Sequence, residues 1–269
     1  MSSALMLLCH RPPHYVAALA QRYPQLRVYI HYDAKSDVAE LASLRRLANV
    51  HVLAERTHIH WAGFSMVAAT LALMRAALAD GGNRYFHLIS GDCVLLQPPA
   101  AIEAEFARQA PGTLFLQSQP SHRLRYRLRW NAPHADTRWQ RRLPGKLLTK
   151  CWQAADRLWP AAPVASGSQW FSADRTALQA LLAAANTDTQ AYFRHKLCPD
   201  EHFFQYLLGR LPETVHHINH NRRYLCFHGS GNHPQWLDLA QLQQLGGSEN
   251  WFARKVHTNT ALAFLDTLP

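Results

Sequence analysis

Short apolar runs alternate with helical patterns through the first third of the chain, and this alternation limits the folds that the sequence can adopt. The runs have the length and composition of β-strands, and they cover residues 4–9, 26–31, 49–53 and 85–90. The segments between them predict helices, which cover residues 14–20, 38–47 and 63–78. Strands and helices that alternate at this spacing indicate an α/β fold, with a central, mostly parallel sheet flanked by helices.

Three residues stand at the carboxyl ends of these predicted strands. Asp33 follows the second strand, and Gly91 and Asp92 follow the fourth. In open parallel sheets ligands bind beyond the carboxyl ends of the strands, so these positions are candidates for a ligand site. Each of them can also be a turn residue. For Asp33 the two interpretations are balanced, whereas for Asp92 a turn residue is the more common case and the strand-end position keeps it as a candidate. His31 and His87 lie inside the strands, and we expect them to be packed in the core.

The rest of the chain carries weaker signals of the same kind. Strands are predicted at residues 112–117 and 223–227, and helices at residues 146–158, 175–185, 199–208 and 236–245. Residues 121–164 are basic, interrupted by proline and weakly periodic, so we interpret them as an excursion from the α/β layer. No internal repeat, low-complexity tract or linker divides the sequence. We therefore predict a single domain over residues 1–269.

The chain is strongly basic, with a formal net charge of +10 and a pI near 9.7. This balance favours anionic partners, such as phosphorylated substrates, lipid headgroups or nucleic acid. The basic residues are densest between residues 123 and 150, where they alternate with Tyr126, Trp130 and Trp139. Such alternation occurs in nucleic-acid-binding proteins, but a solvated basic face or a membrane-surface patch is favoured here. We expect no nucleic-acid partner, and we allow a peripheral contact with an anionic membrane.

Hydropathy and cysteine usage favour a cytoplasmic protein. No apolar run approaches the ~20 residues that a transmembrane helix needs. Residues 4–9 are only strand-length and lack a basic flank and a cleavage site, so they do not resemble a signal peptide. The cysteines are scattered and form no CxxC pair, which favours reduced thiols over a disulfide framework. We expect a cytoplasmic setting, with any peripheral contact at the inner membrane.

Several common functional motifs are absent. The sequence contains no GxGxxG, no GxxxxGK[ST] and no GxSxG, which argues against a dinucleotide fold, a P-loop and an α/β-hydrolase. It also lacks the Asp-x-Asp motif with which many α/β nucleotide-sugar transferases hold a divalent cation. His216, His217 and His220 could hold a metal ion on a helix, but the neighbouring asparagines favour a surface loop. We therefore predict no metal site and no cofactor.

Residues 167–208 contain the clearest candidate for catalysis. Gly167 opens a turn into a short aromatic strand, and Pro199 occupies the predicted first position of a helix, where its missing N–H costs little. Asp200 and Glu201 follow in the first turn, where the helix dipole favours carboxylates. Both can therefore be ordinary helix-starting residues. The alternative is that Glu201 faces a cleft as a general base.

Six blocks of sequence, in order, resemble the core-2/I-branching β-1,6-N-acetylglucosaminyltransferase and peptide O-xylosyltransferase family, glycosyltransferase family 14. The blocks are residues 28–36 (VYIHYDAKS), 60–65 (HWAGFS), 86–93 (FHLISGDC), 167–171 (GSQWF), 199–204 (PDEHFF) and 252–255 (FARK). Each block alone is weakly specific, but their shared order across nearly the whole chain argues against a chance match. Residues 123–164 match no block, and residues 31–33 differ slightly from the family pattern.

The resemblance implies a GT-A-type fold, inverting chemistry and a UDP-sugar donor used without a metal ion. Glu201 falls on the family's catalytic base. Lys255 falls on its diphosphate-binding lysine and Arg223 on the partnering arginine, and Arg254 is a further candidate beside Lys255. A carboxylate in a partly dry pocket can take the proton of an acceptor hydroxyl. The departing UDP gains negative charge, which positive side chains must stabilise where no cation is bound.

The remaining candidates divide between the two substrates. We assign Asp33, Gly91 and Asp92 to the nucleotide and sugar of the donor. Trp170 and Asp200 are assigned to the acceptor, which we expect to be a polysaccharide or a lipid-linked glycan. UDP-N-acetylglucosamine is the first candidate for the donor, with UDP-xylose and UDP-glucuronate as alternatives. The competing hypothesis is a non-catalytic module that binds nucleic acid or acidic polysaccharide through residues 123–150.

Overall fold

The structure, a computed structural model, describes residues 2–159, 161–227 and 234–268. Its strands are β1 (Ser2–Cys9), β2 (Arg27–Tyr32), β3 (Val50–Val52), β4 (Asn83–Ser90), β5 (Cys93–Leu95), β6 (Thr113–Leu116), β7 (Gln119–Ser121), β8 (Val164–Ser166), β9 (Phe171–Asp174), β10 (His216–Ile218), β11 (Arg223–Leu225) and β12 (Phe252–Arg254). Its helices are α1 (His14–Arg22), α2 (Phe64–Ala79), α3 (Pro99–Ala107), α4 (Tyr126–Arg129), α5 (Leu143–Leu158), α6 (Arg175–Ala184), α7 (Thr187–Phe193), α8 (Phe203–Leu207), α9 (Leu239–Gln244) and α10 (Thr258–Leu265).

The central sheet has the order β10-β6-β9-β4-β1-β2-β3 across the described residues. Strand β9 pairs antiparallel with both β4 and β6, and the other neighbouring strands are parallel. The predicted α/β fold with a mostly parallel sheet is therefore confirmed. The strand order reverses between β1 and β4, and this switch point is where open α/β sheets bind their ligands.

Both faces of the sheet are covered, which explains why β1 is apolar on both sides. Leu5 and Leu7 pack in one hydrophobic cluster with residues of α1 and α10. Ala4 and Met6 point to the opposite face and pack in a second cluster with residues of α2. His31 and His87 are buried within the strands, as the sequence predicts.

Two predicted α-helices are instead built from shorter turns. Residues 38–47 form two 3-10 turns, and the Asp37 carboxylate caps the first by accepting the Ala39 N–H at 2.9 Å. Leu41 and Leu44 are the residues that this segment buries, and their spacing of three matches the 3-10 period. Residues 199–208 likewise form a 3-10 turn, the short helix α8 and a second 3-10 turn.

A second, three-stranded sheet has the order β11-β12-β5, and neither β5 nor β12 was predicted from the sequence. Strand β5 follows β4 after two residues and pairs antiparallel with β12. The C-terminal strand is thereby brought beside the carboxyl end of β4.

The basic excursion is anchored on the N-terminus of α2. The Asp136 carboxylate accepts a hydrogen bond from the Ser65 N–H at 3.1 Å and another from the Ser65 hydroxyl. A carboxylate at this end of a helix is favoured by the helix dipole. A Cβ on Gly63, the residue before the helix, would lie 2.8 Å from the Asp136 Cα, so only glycine allows the approach. Within the described residues, no helix combines the length and apolar character needed to cross a membrane.

Candidate active site

A cavity of about 760 Å³ opens where β1, β2 and β4 end. The strand-end residues that line it include Cys9, Asp33, Ser90, Gly91 and Asp92. Later segments complete its wall, notably with Trp61, Arg138, Arg141, Trp170, Trp236 and Arg254. The cavity therefore lies at the switch point of the sheet, and it brings together the three residues assigned to the donor nucleotide and sugar.

Asp33 is buried at the edge of this cavity and is held by its own loop and by the segment that follows β3. Its Oδ1 accepts hydrogen bonds from the N–H groups of Lys35, at 3.0 Å, and Ile59, at 3.3 Å. Its Oδ2 lies 3.2 Å from the Lys35 Nζ. These contacts fix the carboxylate and compensate its charge, so Asp33 holds the loop in a defined conformation at the edge of the cavity.

Arg254 reaches the cavity because β12 pairs with β5. It lies opposite Cys93 in this pairing, one residue beyond Asp92. Its Nε donates to the Ser90 Oγ at 2.9 Å, and its guanidinium carbon lies 5.2 Å from the centroid of the Trp170 ring. Within the described chain its two terminal nitrogens donate no hydrogen bond. The guanidinium is thus held in place while keeping donors for an anion.

Trp170 lines the same cavity, and the tight turn just before it is hydrogen-bonded to the backbone of Glu201. The turn begins at Gly167, whose N–H donates to the Glu201 carbonyl at 2.9 Å. A Cβ at Gly167 would lie 2.0 Å from the Gln117 carbonyl oxygen, so a larger residue cannot be accommodated without moving the backbone. This geometry links a residue in the cavity wall to the segment that carries the candidate base.

Lys255 does not line the cavity, although it follows Arg254 directly. Its Nζ lies 5.6 Å from the centroid of the Trp236 ring, and Trp236 does line the cavity. The lysine charge therefore lies near an aromatic ring of the cavity wall, while Lys255 itself is not part of that wall. Its assignment to the diphosphate rests on the sequence resemblance alone.

Arg223 is buried and does not line the cavity, and its role on the diphosphate stays a prediction from the sequence resemblance. Its guanidinium donates to the carbonyl oxygens of Leu88, at 3.2 Å, Phe171, at 2.6 Å, and Asn221. Main-chain carbonyls thus already occupy these donors. In this arrangement Arg223 fastens β11 to β4 and β9.

Glu201 is not among the residues that line the first cavity, and it presents one open carboxylate oxygen. Three residues earlier, the Cys198 N–H donates to the Ala62 carbonyl at 3.2 Å, and Ala62 directly follows the cavity-lining Trp61. The Glu201 Oε2 forms an ion pair with Arg127. Its Oε1 accepts no hydrogen bond from the described residues, and the side chain is 44% exposed. A positioned carboxylate with one free oxygen has the geometry of a general base.

A second cavity, of about 550 Å³, lies in the basic excursion beside Arg127. The other basic residues that line it are His122, Arg123, Arg125 and Arg157. Asp156 is buried in its wall, with carboxylate oxygens 3.1 Å from both Arg125 and Arg129. Because Arg127 lines this cavity and pairs with Glu201, the candidate base lies at its edge.

The comparison with protein-family models finds a match over residues 13–246, described as Core-2/I-Branching enzyme. The chain belongs to the core-2/I-branching enzyme family. This membership confirms the resemblance and makes the protein a glycosyltransferase. The matched residues include Glu201 and end before Arg254 and Lys255.

The other comparisons add little to this assignment. The comparison with curated proteins finds no match. One similar solved structure is the crystal structure of mannose-1-phosphate geranyltransferase from Thermus thermophilus, which is 10% identical in sequence. The match covers 79% of this chain and 68% of that one, with a TM-score of 0.33, which is too low to bear on function.

The basic excursion of this core-2/I-branching family member supplies site residues that the sequence analysis did not assign. Arg138 and Arg141 line the first cavity, and the Arg141 guanidinium carbon lies 4.9 Å from the Trp61 ring centroid. Arg127 holds the candidate base. The density of arginine in residues 123–150 was the available signal, but it could not show which arginines turn towards a cavity.

Two histidines of the cluster lie in an edge strand, where the sequence predicted a loop, whereas His220 lies in the irregular segment after that strand. His216 and His217 belong to β10, and the His217 Nε2 lies 2.7 Å from the Leu116 carbonyl oxygen. The His220 Nε2 lies 3.7 Å from a Glu249 carboxylate oxygen. Across residues 2–159, 161–227 and 234–268, no three His, Cys, Asp or Glu side chains are arranged to hold a metal ion.

Asp200 is a carboxyl group whose surroundings favour its neutral form. Its Oδ1 is buried, and no described residue donates a hydrogen bond to it. Burial raises the pKa of Asp200 to about 7, and the charge of the adjacent Glu201 acts in the same direction.

The substitution Asp200→Asn is expected to stabilise the fold at neutral and alkaline pH, by about 1–3 kcal/mol. The folded protein keeps the Asp200 proton up to about pH 7, whereas the unfolded chain releases it near the ordinary pKa of 3.8. The free energy of unfolding of the wild type therefore falls as the pH rises through this range, and asparagine removes that loss. Urea denaturation at several pH values measures the difference, with the exposed Asp266→Asn as the control. If the difference in the free energy of unfolding between Asp200→Asn and the wild type did not change with pH, the raised pKa of Asp200 would be contradicted.

Proposed function

We propose that this family member is an inverting glycosyltransferase that moves a sugar from a UDP-sugar to a hydroxyl group of a glycan or lipid-linked glycan, forming a β-linkage. The observation that carries the proposal is the charge of the first cavity. Among the described residues, Arg11, Lys35, Arg138, Arg141 and Arg254 line it, against the carboxylates of Asp33 and Asp92. An excess of positive side chains at a sheet switch point suits an anionic nucleotide ligand.

Arg254 is the residue that we assign to the donor diphosphate. Its guanidinium is held by Ser90 and Trp170 and keeps two nitrogens available. As the bond between the anomeric carbon and the UDP oxygen breaks, the bonding electrons move to UDP. A fixed guanidinium stabilises this charge more in the transition state than in the bound donor, which is the condition for acceleration. We therefore propose that the reaction uses cationic side chains and no metal ion.

Glu201 is assigned as the general base. Its open Oε1 takes the proton from the acceptor hydroxyl while the hydroxyl oxygen bonds to the anomeric carbon from the side opposite UDP. The proton ends on Glu201, the negative charge leaves with UDP, and the configuration at the anomeric carbon is inverted. Arg127 holds the other carboxylate oxygen and so orients the base towards the acceptor.

N-acetylglucosamine is the first candidate for the transferred sugar, with xylose and glucuronate as alternatives. Sugar selection depends on few pocket contacts, so each donor has to be tested separately. The proposed setting is the cytoplasm, at the surface of an anionic membrane. A second candidate function is binding of an anionic polysaccharide without catalysis, which the arginines of the second cavity favour.

The test is UDP release by the purified protein in EDTA, with UDP-N-acetylglucosamine, UDP-xylose, UDP-glucuronate, UDP-glucose and UDP-galactose offered separately. Slow hydrolysis of one donor, undiminished by EDTA, is the expected result. Calorimetry with UDP is the companion measurement, because hydrolysis can require an acceptor whereas binding does not. Absence of UDP binding would overturn the transferase mechanism in favour of the binding module.

A further inference from the structure

Helix α5 presents an apolar stripe to solvent along its length. Leu143, Leu147 and Leu158 are 70%, 53% and 73% exposed, and Cys151 and Ala154 are exposed between them. Their spacings of four, four, three and four residues keep them on one side of the helix. Large apolar side chains are normally buried, so a continuous exposed row of them marks an interaction surface.

The stripe is bordered by positive charge and carries no negative charge. Lys146, Lys150 and Arg157 are exposed along one side of it. The acidic residue of the helix, Asp156, lies on the opposite face, where it is buried against Arg125. Basic residues flanking an apolar stripe are typical of helices that lie in the interface of an anionic bilayer.

We propose that this α5 face, formed by Leu143, Leu147, Cys151, Ala154 and Leu158 with the flanking Lys146, Lys150 and Arg157, docks on an anionic lipid bilayer. Pairing with a second copy would bury the leucines equally well. It would also bring the two basic borders together without carboxylates on the α5 face to compensate them. Charge complementarity therefore favours the lipid surface.

The position of the α5 face relates it to the catalytic cavity, and this step rests on the proposed function. Thr137, Arg138 and Arg141 line the first cavity, and Arg142 is the residue immediately before α5. A helix of 16 residues is about 24 Å long, so it can lie flat on the headgroups with its first turn next to the cavity. Docking through this face would present a lipid-linked acceptor to the site.

The test is co-sedimentation of the full-length protein with phosphatidylcholine vesicles and with vesicles of equal parts phosphatidylcholine and phosphatidylglycerol. Wild type is expected to bind the anionic vesicles and to be released by salt. Leu143→Gln with Leu147→Gln should weaken binding by roughly tenfold or more, because two apolar side chains no longer enter the membrane. Lys146→Glu with Lys150→Glu should weaken it by a similar factor.

The matched charge control is Arg45→Glu with Arg46→Glu, which changes the net charge equally in an exposed 3-10 turn outside the α5 face. It should weaken binding much less. Equal loss in both charge variants, or unchanged binding by the leucine variant, would overturn the inference. A concentration-dependent dimer that the leucine variant abolishes would identify a second copy as the occupant and would also overturn it. Vesicle binding requires no turnover, so its failure is distinguishable from failure of the proposed function.

Discussion

Replacing Glu201 with Gln is expected to reduce sugar transfer by about two to four orders of magnitude while leaving UDP binding unchanged. The amide keeps the size of the side chain and can still contact Arg127, but it cannot take a proton from the acceptor hydroxyl. Glu201 lies outside the first cavity, so its substitution should not disturb the donor. The measurement is kcat with a saturating donor, together with calorimetry of UDP binding to both proteins.

The matched control for this prediction is Glu213→Gln, the same chemical change at an exposed turn residue. It should leave kcat unaltered. If Glu201→Gln retained full activity, the base would have to be another carboxylate, and Asp92 in the cavity or Asp200 in the same turn would be the next to test. Loss of UDP binding together with activity would instead mean that the substitution deforms the cavity wall.

Much of the fold could be predicted because its determinants are local. The apolar runs of β1, β2 and β4 and the long apolar face of α2 each reveal their period within a few residues. The prediction of one α-helix over residues 38–47 was wrong. Two leucines three residues apart are compatible with both an α-helix and a 3-10 helix, so the sequence does not distinguish them. Strand β5 was missed because a three-residue strand has too few positions for alternation, and its partner β12 is distant in sequence.

The candidate site could be predicted in part, for the same reason. The strand-end positions of Asp33, Gly91 and Asp92 follow from the α/β pattern, so their arrival at one cavity was foreseeable. Arg223 shows the limit of this reasoning. Whether an arginine faces a ligand or binds main-chain carbonyls depends on how three strands pack, and no local pattern records that. The Arg127–Glu201 ion pair could not be predicted for the same reason, because its partners are 74 residues apart and meet only through the packing of the fold.

The substitution Arg254→Ala is expected to lower kcat by about 10²–10³-fold, because it removes the positive charge that we assign to the leaving UDP. Arg254→Lys should recover part of this loss, since lysine restores the charge but not the planar donor pair. Lys255→Ala should have a much smaller effect, because Lys255 packs on Trp236 outside the cavity. Steady-state kinetics of the three variants in EDTA, at several donor concentrations, make the comparison.

Comparing Arg254 with Lys255 distinguishes two assignments of the diphosphate-binding residue. One rests on the geometry of the cavity and the other on the sequence resemblance. Arg254 faces the cavity between Ser90 and Trp170, whereas the resemblance gives the diphosphate to Lys255. If Lys255→Ala abolished transfer and Arg254→Ala did not, the lysine would have to leave the Trp236 ring and enter the cavity when the donor binds. Trp236→Ala would then alter the donor KM, since the ring would no longer restrain the lysine. If Arg254 dominates, a half-buried guanidinium fixed before binding supplies the charge, and no such movement is required.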